Sequence, residues 1–286
     1  MTPKDLCLAL AMSAIFGAGW VFGKAAIDHF PPIMTAAFRF GFAGCLLMIF
    51  CKWPTVPKTQ VLIISSCALA LPYSLSYVGL AVLDVSTTVL LIQLEAPILI
   101  VMSALLLRER PPARALFGVA LSMLGLLVVT GSPSVQTAGR AVALVLASII
   151  TWAFGQVVLR RLGSSDGGLP LLGAAALMAA PQLALLSAIF EEQHVVYIVT
   201  ASMAAWLQVA YLAIFMTVVG QGIWFSLVGR NDLNVVAPFL LLVPVFSITG
   251  AVLFLGERPT LPDLIGGGLI LAGVSLATLR PASAPP

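Results

Sequence analysis

The stretch VSTTVLLIQLEAPILIVMSALLL, residues 85–107, carries a single charge, that of Glu95. A helix needs about 20 predominantly apolar residues to cross the hydrocarbon core of a bilayer. Residues 85–107 meet that requirement, and Arg108 ends the apolar run. The stretch therefore predicts a membrane-spanning helix with one carboxyl group near the middle of the membrane.

Nine more apolar stretches of similar length flank it, each bounded by a charge, Pro or Gly. They are residues 5–27, 33–50, 60–82, 113–130, 141–159, 169–190, 204–228, 233–255 and 261–279. The chain is 60% hydrophobic and 9% charged, so it has too few charges to cover a water-soluble surface. The sequence predicts an all-α polytopic membrane protein with ten transmembrane helices.

The basic residues are unevenly divided between the two sides of such a protein. If both termini are cytoplasmic, the cytoplasmic side carries Lys4, Lys52, Lys58, Arg108, Arg110, Arg114, Arg160, Arg161, Arg230 and Arg280. The outer side then carries only Lys24, Arg140 and Arg258, and Arg39 lies within the second helix. Because cytoplasmic loops carry an excess of Lys and Arg, we expect an inner-membrane protein with both termini in the cytoplasm.

The sequence repeats itself weakly, in the same order in both halves. Trp20-Val-Phe-Gly-Lys24 matches Trp152-Ala-Phe-Gly-Gln156, and Glu109-Arg110-Pro111 matches Glu257-Arg258-Pro259. Five helices are an odd number, so the second half must enter the membrane from the opposite side. The sequence therefore predicts two inverted five-helix repeats, residues 1–132 and 133–286, an architecture that recurs in secondary transporters.

Several motifs resemble the EamA type of the drug/metabolite transporter superfamily. They are Pro31-Pro32-Ile-Met34 with Arg39-Phe40, the two Glu-Arg-Pro tripeptides, Val219-Gly-Gln-Gly-Ile-Trp224 and Leu242-Val-Pro-Val-Phe246. The resemblance covers the whole chain and is closest to bacterial exporters of O-acetylserine, cysteine and aromatic amino acids. It implies ten helices, a central cavity and amino-acid export by alternating access. The alternative is a drug, sugar or nucleotide-sugar carrier of the same fold.

Other functional classes lack their signatures. The sequence has no Gly-Lys-Ser/Thr phosphate loop and no two adjacent aspartates, and it places His29 and His194 in outer loops. A channel filter motif is also missing. We therefore expect no enzyme activity, no catalytic residue, no metal and no cofactor. The expected partners are a small-molecule substrate and the lipid bilayer, without nucleic acid, and we expect a monomer.

Two charges lie at membrane depth, where a charge is costly unless it faces a partner or water. Glu95 could bind a substrate ammonium or carry a proton, or it could form a buried ion pair. Arg39 could hold a substrate carboxylate through its planar fork. It could equally pair with Glu95 or bond to backbone carbonyls. Lys24, near the outer end of the first helix, is expected to extend to the interface.

Aromatic and amide side chains could line the cavity beside these charges. Tyr73 and Tyr77 are four residues apart and share a helix face, as do Trp152 and Gln156. The remaining candidates for substrate contact are Trp20, Gln221 and Trp224, with Trp20 and Trp224 at repeat-equivalent places of Trp152 and Tyr77. The alternative for all of them is ordinary packing between helices.

Prolines and glycines divide the helices into two groups. Pro97 and Pro244 lie within the fourth and ninth helices, where each removes a backbone hydrogen bond, and both are predicted hinges. The fifth and tenth helices instead carry spaced glycines, which favour close packing in membranes. We expect these two helices to brace the halves; their glycines are Gly118, Gly125, Gly266, Gly267, Gly268 and Gly273.

Overall fold

The computed structural model describes residues 1–108, 111–131, 138–162, 168–231 and 233–278, and every regular element within those ranges is helical. Ten helices are long and apolar enough to cross a membrane, which confirms the predicted fold class. In chain order they are α1 Pro3–Ile27, α2 Pro32–Phe50, α3 Lys58–Val82, α4 Val85–Leu107, α5 Ala113–Thr130, α6 Gly139–Arg160, α7 Leu169–Phe190, α8 Met203–Val228, α9 Ala237–Leu255 and α10 Leu261–Thr278.

Two connections differ from the sequence-based expectation. The sequence predicts a loop at His194, but this residue begins a seven-residue helix, His194–Thr200, between α7 and α8. Its apolar side chains are exposed and it is too short to cross a membrane, which explains why hydropathy over long windows missed it. The sequence predicts that the ninth helix begins at residue 233, whereas a separate helical turn, Leu233–Val236, precedes α9.

The packing of the helices follows the predicted duplication. α5 packs on α10 and α2 packs on α7, each helix against its counterpart in the other half. α3 packs on α6 as α8 packs on α1, and α4 packs on α6 as α9 packs on α1. Exchanging the two halves therefore reproduces the pattern of helix pairs. Glu109 and Arg110 of the repeated tripeptide, Arg280 and the repeat boundary at 132 and 133 lie outside the described residues.

The pair α5 and α10 is held together by backbone contact at glycines. A Cβ atom added to Gly118 would lie 2.5 Å from the carbonyl oxygen of Gly273, and one added to Gly125 would lie 2.6 Å from that of Gly266. Real Cβ atoms do not approach a backbone oxygen so closely, so these positions accept no side chain. The expected close packing is confirmed for Gly118, Gly125, Gly266 and Gly273, whereas a Cβ on Gly267 would meet Leu90 of α4 and one on Gly268 would meet nothing within 4 Å.

Helices α3, α4 and α9 lose regular α-helical bonding four residues before a proline. A proline has no N–H to donate to the carbonyl four residues earlier, and its ring crowds that carbonyl. Pro97 accordingly follows a break of α4 at Gln93 and Leu94. Pro72 follows a π-helical segment, Ser65–Ala70, and Pro244 follows a 3₁₀ segment, Ala237–Leu242.

The ten crossings define two faces of the molecule. We call the face at which α1 begins and α10 ends the terminal face, and the other the opposite face. On the opposite face, the Lys24 ammonium donates to the carbonyl oxygens of Leu80, Ala81 and Leu83 at 2.7, 3.1 and 3.1 Å. These carbonyls lie at the C-terminus of α3, where the helix dipole favours a cation. Lys24 thus caps α3 instead of extending to the interface.

A carboxylate caps the adjacent start of α4 in the complementary way. Glu257 accepts hydrogen bonds from the backbone N–H groups of Val85 and Ser86 at 2.6 and 3.0 Å, and from the Ser86 hydroxyl at 2.6 Å. The turn between α3 and α4 is therefore fastened by a cation on one side and an anion on the other. Within this turn, partial burial and the nearby Glu257 carboxylate raise the pKa of Asp84.

The α5–α10 contact can be tested with two glycines of the same helix. A Cβ on Gly266 would meet Val129 at 2.6 Å and the Gly125 carbonyl at 2.7 Å, whereas a Cβ on Gly268 would meet nothing within 4 Å. Gly266→Ala should lower the thermal unfolding temperature of the purified protein by about 3–10 °C, because overpacking costs about 1–3 kcal/mol. Gly268→Ala is the control and should match or exceed wild type. Equal behaviour of the two variants would contradict the proposed contact.

Candidate functional site

The principal candidate site is a cavity of about 980 Å³ between the two halves. Nine of the ten membrane-spanning helices contribute described residues to its wall, and α5 is the exception. Most of the lining is apolar, with a few charged, hydroxyl and amide groups. A volume and composition of this kind are typical of small-molecule sites.

The cavity reaches the terminal face and stops short of the opposite face. Its wall includes Arg160, Gly168 and Thr278, which lie at the ends of α6, α7 and α10 on the terminal face. Its inner end is formed by residues such as Arg39 and Thr217 within the helices. Between that end and the opposite face lie the capped turn of α3 and α4 and the ends of α1 and α2.

Arg39 lies at the inner end of the cavity, with only 3% of its surface exposed. Its Nε donates to the Thr217 hydroxyl at 2.9 Å, and its Nη1 donates to the Tyr77 hydroxyl at 3.0 Å. The guanidinium carbon also lies 4.7 Å from the ring centre of Tyr73 and 5.0 Å from that of Phe40. Hydroxyls and aromatic faces therefore stabilise the cation.

No carboxylate of the described residues lies within 4 Å of the Arg39 guanidinium, so the alternative of an Arg39–Glu95 ion pair does not hold in this conformation. A guanidinium carries five N–H groups. The Thr217 and Tyr77 hydroxyls occupy two of them, and the Tyr73 hydroxyl interacts with the same guanidinium, so at most three N–H groups lack an acceptor among the described residues. Arg39 can therefore bind an anion that enters the cavity.

Glu95 lies on the wall of the same cavity, in the first turn of α4 after the break at Gln93 and Leu94. It is half-buried, and its carboxylate makes no hydrogen bond or ion pair with any part of the chain that the structure describes. Because a lone carboxylate at membrane depth is costly, it needs water, a proton or a ligand cation. The cavity thus presents a guanidinium and a carboxyl group, neither of which has a charged partner among the described residues.

The predicted aromatic and amide residues divide into two groups. The wall of the cavity includes Tyr73, Trp152, Gln156, Gln221 and Trp224. Tyr77 is 2% exposed and lies behind Arg39, which it contacts through its hydroxyl. Trp20 is not part of the cavity wall and packs against the apolar residues between α1, α2 and α8. Pro97 and Pro244 are buried and adjoin the helix irregularities.

Some polar residues of the wall are not among the predicted site residues. Thr217, Gln93 and Ser103 all line the cavity. None carries a charge, and threonine, glutamine and serine are common in membrane helices, so no sequence signal distinguishes them. Pro97 is the sequence feature that points to Gln93, because a proline leaves the carbonyl four residues before it without its usual N–H donor.

Comparisons with known proteins identify a family that this chain matches over nearly its whole length. A model of the EamA-like transporter family matches residues 4–131 and 139–279. Relatives from Salmonella typhimurium and Escherichia coli are each 30% identical over 96% of this chain and 94% of their own, and both are named "Probable amino-acid metabolite efflux pump". One solved crystal structure shares the fold, with a TM-score of 0.68 over 97% of both chains at 17% identity.

The match to the family model occurs in two successive segments, one in each half of the chain. Together they cover nearly all of the ten helices, and they agree with the exchange of helix pairs between the halves. The chain therefore belongs to the EamA-like transporter family, and it is a multi-pass inner-membrane transporter and not an enzyme.

Proposed function

We propose that this transporter exports amino acids and related small metabolites across the inner membrane through its central cavity. The two repeats, residues 1–132 and 133–286, alternate access to that cavity. The observation that carries the substrate class is the presence of Arg39 and Glu95 on the cavity wall, with no charged partner for either among the described residues. Since one chain encloses the whole cavity, the monomer is the expected functional unit.

An amino-acid zwitterion supplies the partner of each free charge. Its carboxylate accepts from the unused N–H groups of Arg39, in the planar geometry that a guanidinium fork matches. Its ammonium donates to the Glu95 carboxylate. A substrate that neutralises both groups at once repays part of its own desolvation, whereas a substrate of one sign leaves the other protein charge unpaired.

The rest of the wall suits side chains of several sizes. Tyr73, Trp152 and Trp224 provide aromatic surface, and Gln156 and Gln221 provide amide donors and acceptors. Apolar contact discriminates weakly between ligands that differ by a methylene group, at about 1–3 kcal/mol each. We therefore expect a family of amino acids to be carried, with the charged contacts common to all of them.

The alternative carriers of this fold fit the charges less well. A nucleotide sugar carries two adjacent phosphates, which need several cations, and Glu95 would repel them. A neutral sugar would leave both Arg39 and Glu95 without partners. The names of the relatives from Salmonella typhimurium and Escherichia coli, which specify efflux of amino-acid metabolites, support the same substrate class and the outward direction.

The conformation supports export if both termini are cytoplasmic. The cavity reaches the terminal face, so it would then be open to the cytoplasm, where an exporter loads its substrate. On the opposite face, which the cavity does not reach, Lys24 and Glu257 cap the turn between α3 and α4. Transport requires the inverse state, in which this face opens and the terminal face closes.

The direct test is counterflow in proteoliposomes with the twenty proteinogenic L-amino acids, combined with binding of three related probes. L-phenylalanine carries both charges, L-phenylalaninamide lacks the carboxylate and 3-phenylpropanoate lacks the ammonium. Arg39→Gln should weaken the binding of L-phenylalanine and 3-phenylpropanoate by about tenfold to a hundredfold, because a hydrogen bond to a charged group contributes about 1.5–3 kcal/mol. L-phenylalaninamide should be nearly unaffected.

Glu95→Gln should show the mirror image, with weaker binding of L-phenylalanine and L-phenylalaninamide and unchanged binding of 3-phenylpropanoate. Each variant thus has an internal control for folding in the probe that it spares. Failure of every amino acid in counterflow, or the same loss for all three probes, would refute the proposed recognition of zwitterions.

The aromatic wall gives a second prediction. Trp152 faces the cavity, whereas Phe154, two residues further along α6, is 42% exposed on the outer surface of the helix bundle. Trp152→Ala should raise the KM for aromatic amino acids several-fold, since it removes a stacking surface. Phe154→Ala is the control of similar chemistry and should transport like wild type. Wild-type transport by Trp152→Ala would make this residue a packing element.

The orientation follows from the distribution of basic residues and is tested by labelling. In a chain with Cys7, Cys45, Cys51 and Cys67 replaced by Ala, single cysteines at Thr2 and Glu192 would report the two faces; both positions are exposed. In intact cells, an impermeant maleimide should label the cysteine at position 192 and spare that at position 2. The reverse pattern would place the terminal face outside.

The predicted hinges give a conformational test. Pro97→Ala and Pro244→Ala each restore a backbone N–H in an irregular helix, and each should slow transport with little loss of binding. Because the halves are inverted, the two changes should shift the resting state in opposite directions, which spin-label distances across both mouths would measure. A shift in the same direction, or none, would exclude these prolines as hinges.

A further inference from the structure

Thr217 joins the second half of the chain to the charged site. It lies in α8 within a π-helical segment, Tyr211–Gly220, and is 2% exposed. Its hydroxyl donates to the carbonyl oxygen of Leu212, five residues earlier, at 2.8 Å. That separation corresponds to one step of the π-helical register, so the local backbone determines where the hydroxyl hydrogen points.

The direction of this hydrogen bond fixes the role of the oxygen. A hydroxyl has one hydrogen to donate and two lone pairs to accept with. Because the Thr217 hydrogen is committed to Leu212, its oxygen is left as an acceptor, and Arg39 Nε donates to it at 2.9 Å. The direction of the hydrogen bond between the two residues is therefore fixed: Arg39 Nε donates and the Thr217 oxygen accepts.

Two sets of contacts together determine the orientation of the guanidinium. The rings of Tyr73 and Phe40 restrict its plane. Within that plane, the Thr217 oxygen on Nε and the Tyr77 hydroxyl on Nη1 oppose rotation. Without the acceptor at Nε, the group could turn and present different N–H groups to the cavity. A bidentate contact with a carboxylate depends on that orientation.

We propose that Thr217 is a positioning residue that sets carboxylate affinity by holding Arg39 Nε, so that Nη2 and the remaining N–H of Nη1 face the cavity. Thr217 itself makes no required contact with the substrate. The inference rests on the proposed function, because it takes Arg39 as the carboxylate contact. It adds that specificity for the carboxylate is assembled from both halves of the transporter.

The test uses the full-length protein and the variants Thr217→Val and Thr217→Ser. Valine keeps the shape of the side chain without the acceptor, and serine keeps the hydroxyl. Dissociation constants are measured by calorimetry for L-phenylalanine, 3-phenylpropanoate and L-phenylalaninamide. Thr217→Val should weaken the binding of the two carboxylates about tenfold and that of L-phenylalaninamide less than about twofold. Thr217→Ser should bind all three probes like wild type.

A buried threonine elsewhere provides the matched control. Thr88 donates to the carbonyl of Asp84 at 2.9 Å and is not part of the cavity wall, so Thr88→Val should change no affinity. Equal weakening of all three probes by Thr217→Val, no weakening, or weakening that Thr217→Ser does not reverse would each overturn the positioning role. If Arg39→Gln leaves carboxylate binding unchanged, the proposed function fails. If Arg39→Gln weakens carboxylate binding and Thr217→Val does not, the proposed function stands and this inference alone fails.

Discussion

Hydrocarbon offers no hydrogen-bond partner, and this constraint governs every polar group inside the molecule. Regular helices satisfy it for most of the backbone. Where prolines interrupt α3, α4 and α9, the freed backbone groups must be satisfied by other protein atoms or by water in the cavity, and residues of all three helices line it. The same constraint explains why Lys24 and Glu257 are used as helix caps at the membrane boundary.

Arg39 and Glu95 meet the constraint differently, since neither has a charged partner in the part of the chain that the structure describes. The described neighbours of the Arg39 guanidinium are neutral, and they include the Thr217 and Tyr77 hydroxyls and the rings of Tyr73 and Phe40. Neutral support lowers the cost of burying the cation without cancelling its charge, and therefore leaves it able to bind an anion. In a permanent ion pair the two residues would neutralise each other, and neither would be available to a ligand in the cavity.

The sequence was sufficient for the features that depend on composition along the chain. Hydropathy determines the ten helices, and the charge at membrane depth singles out Arg39 and Glu95 without further information. The contacts of Trp20 and Thr217 depend on which helix face meets which neighbour, and single-sequence patterns do not contain that. Thr217 also requires the π-helical register of α8, for which the sequence offers no proline or other marker.

The bond between Arg39 and Thr217 has a consequence for release. Arg39 belongs to α2 and Thr217 to α8, so any motion that separates these helices also removes the acceptor from Nε. If the opening of the exit separates α2 from α8, the guanidinium gains rotational freedom at that moment, and the proposed contact with a carboxylate weakens. The same few atoms can thus give a tight site for loading and a loose one for discharge, without a second binding site.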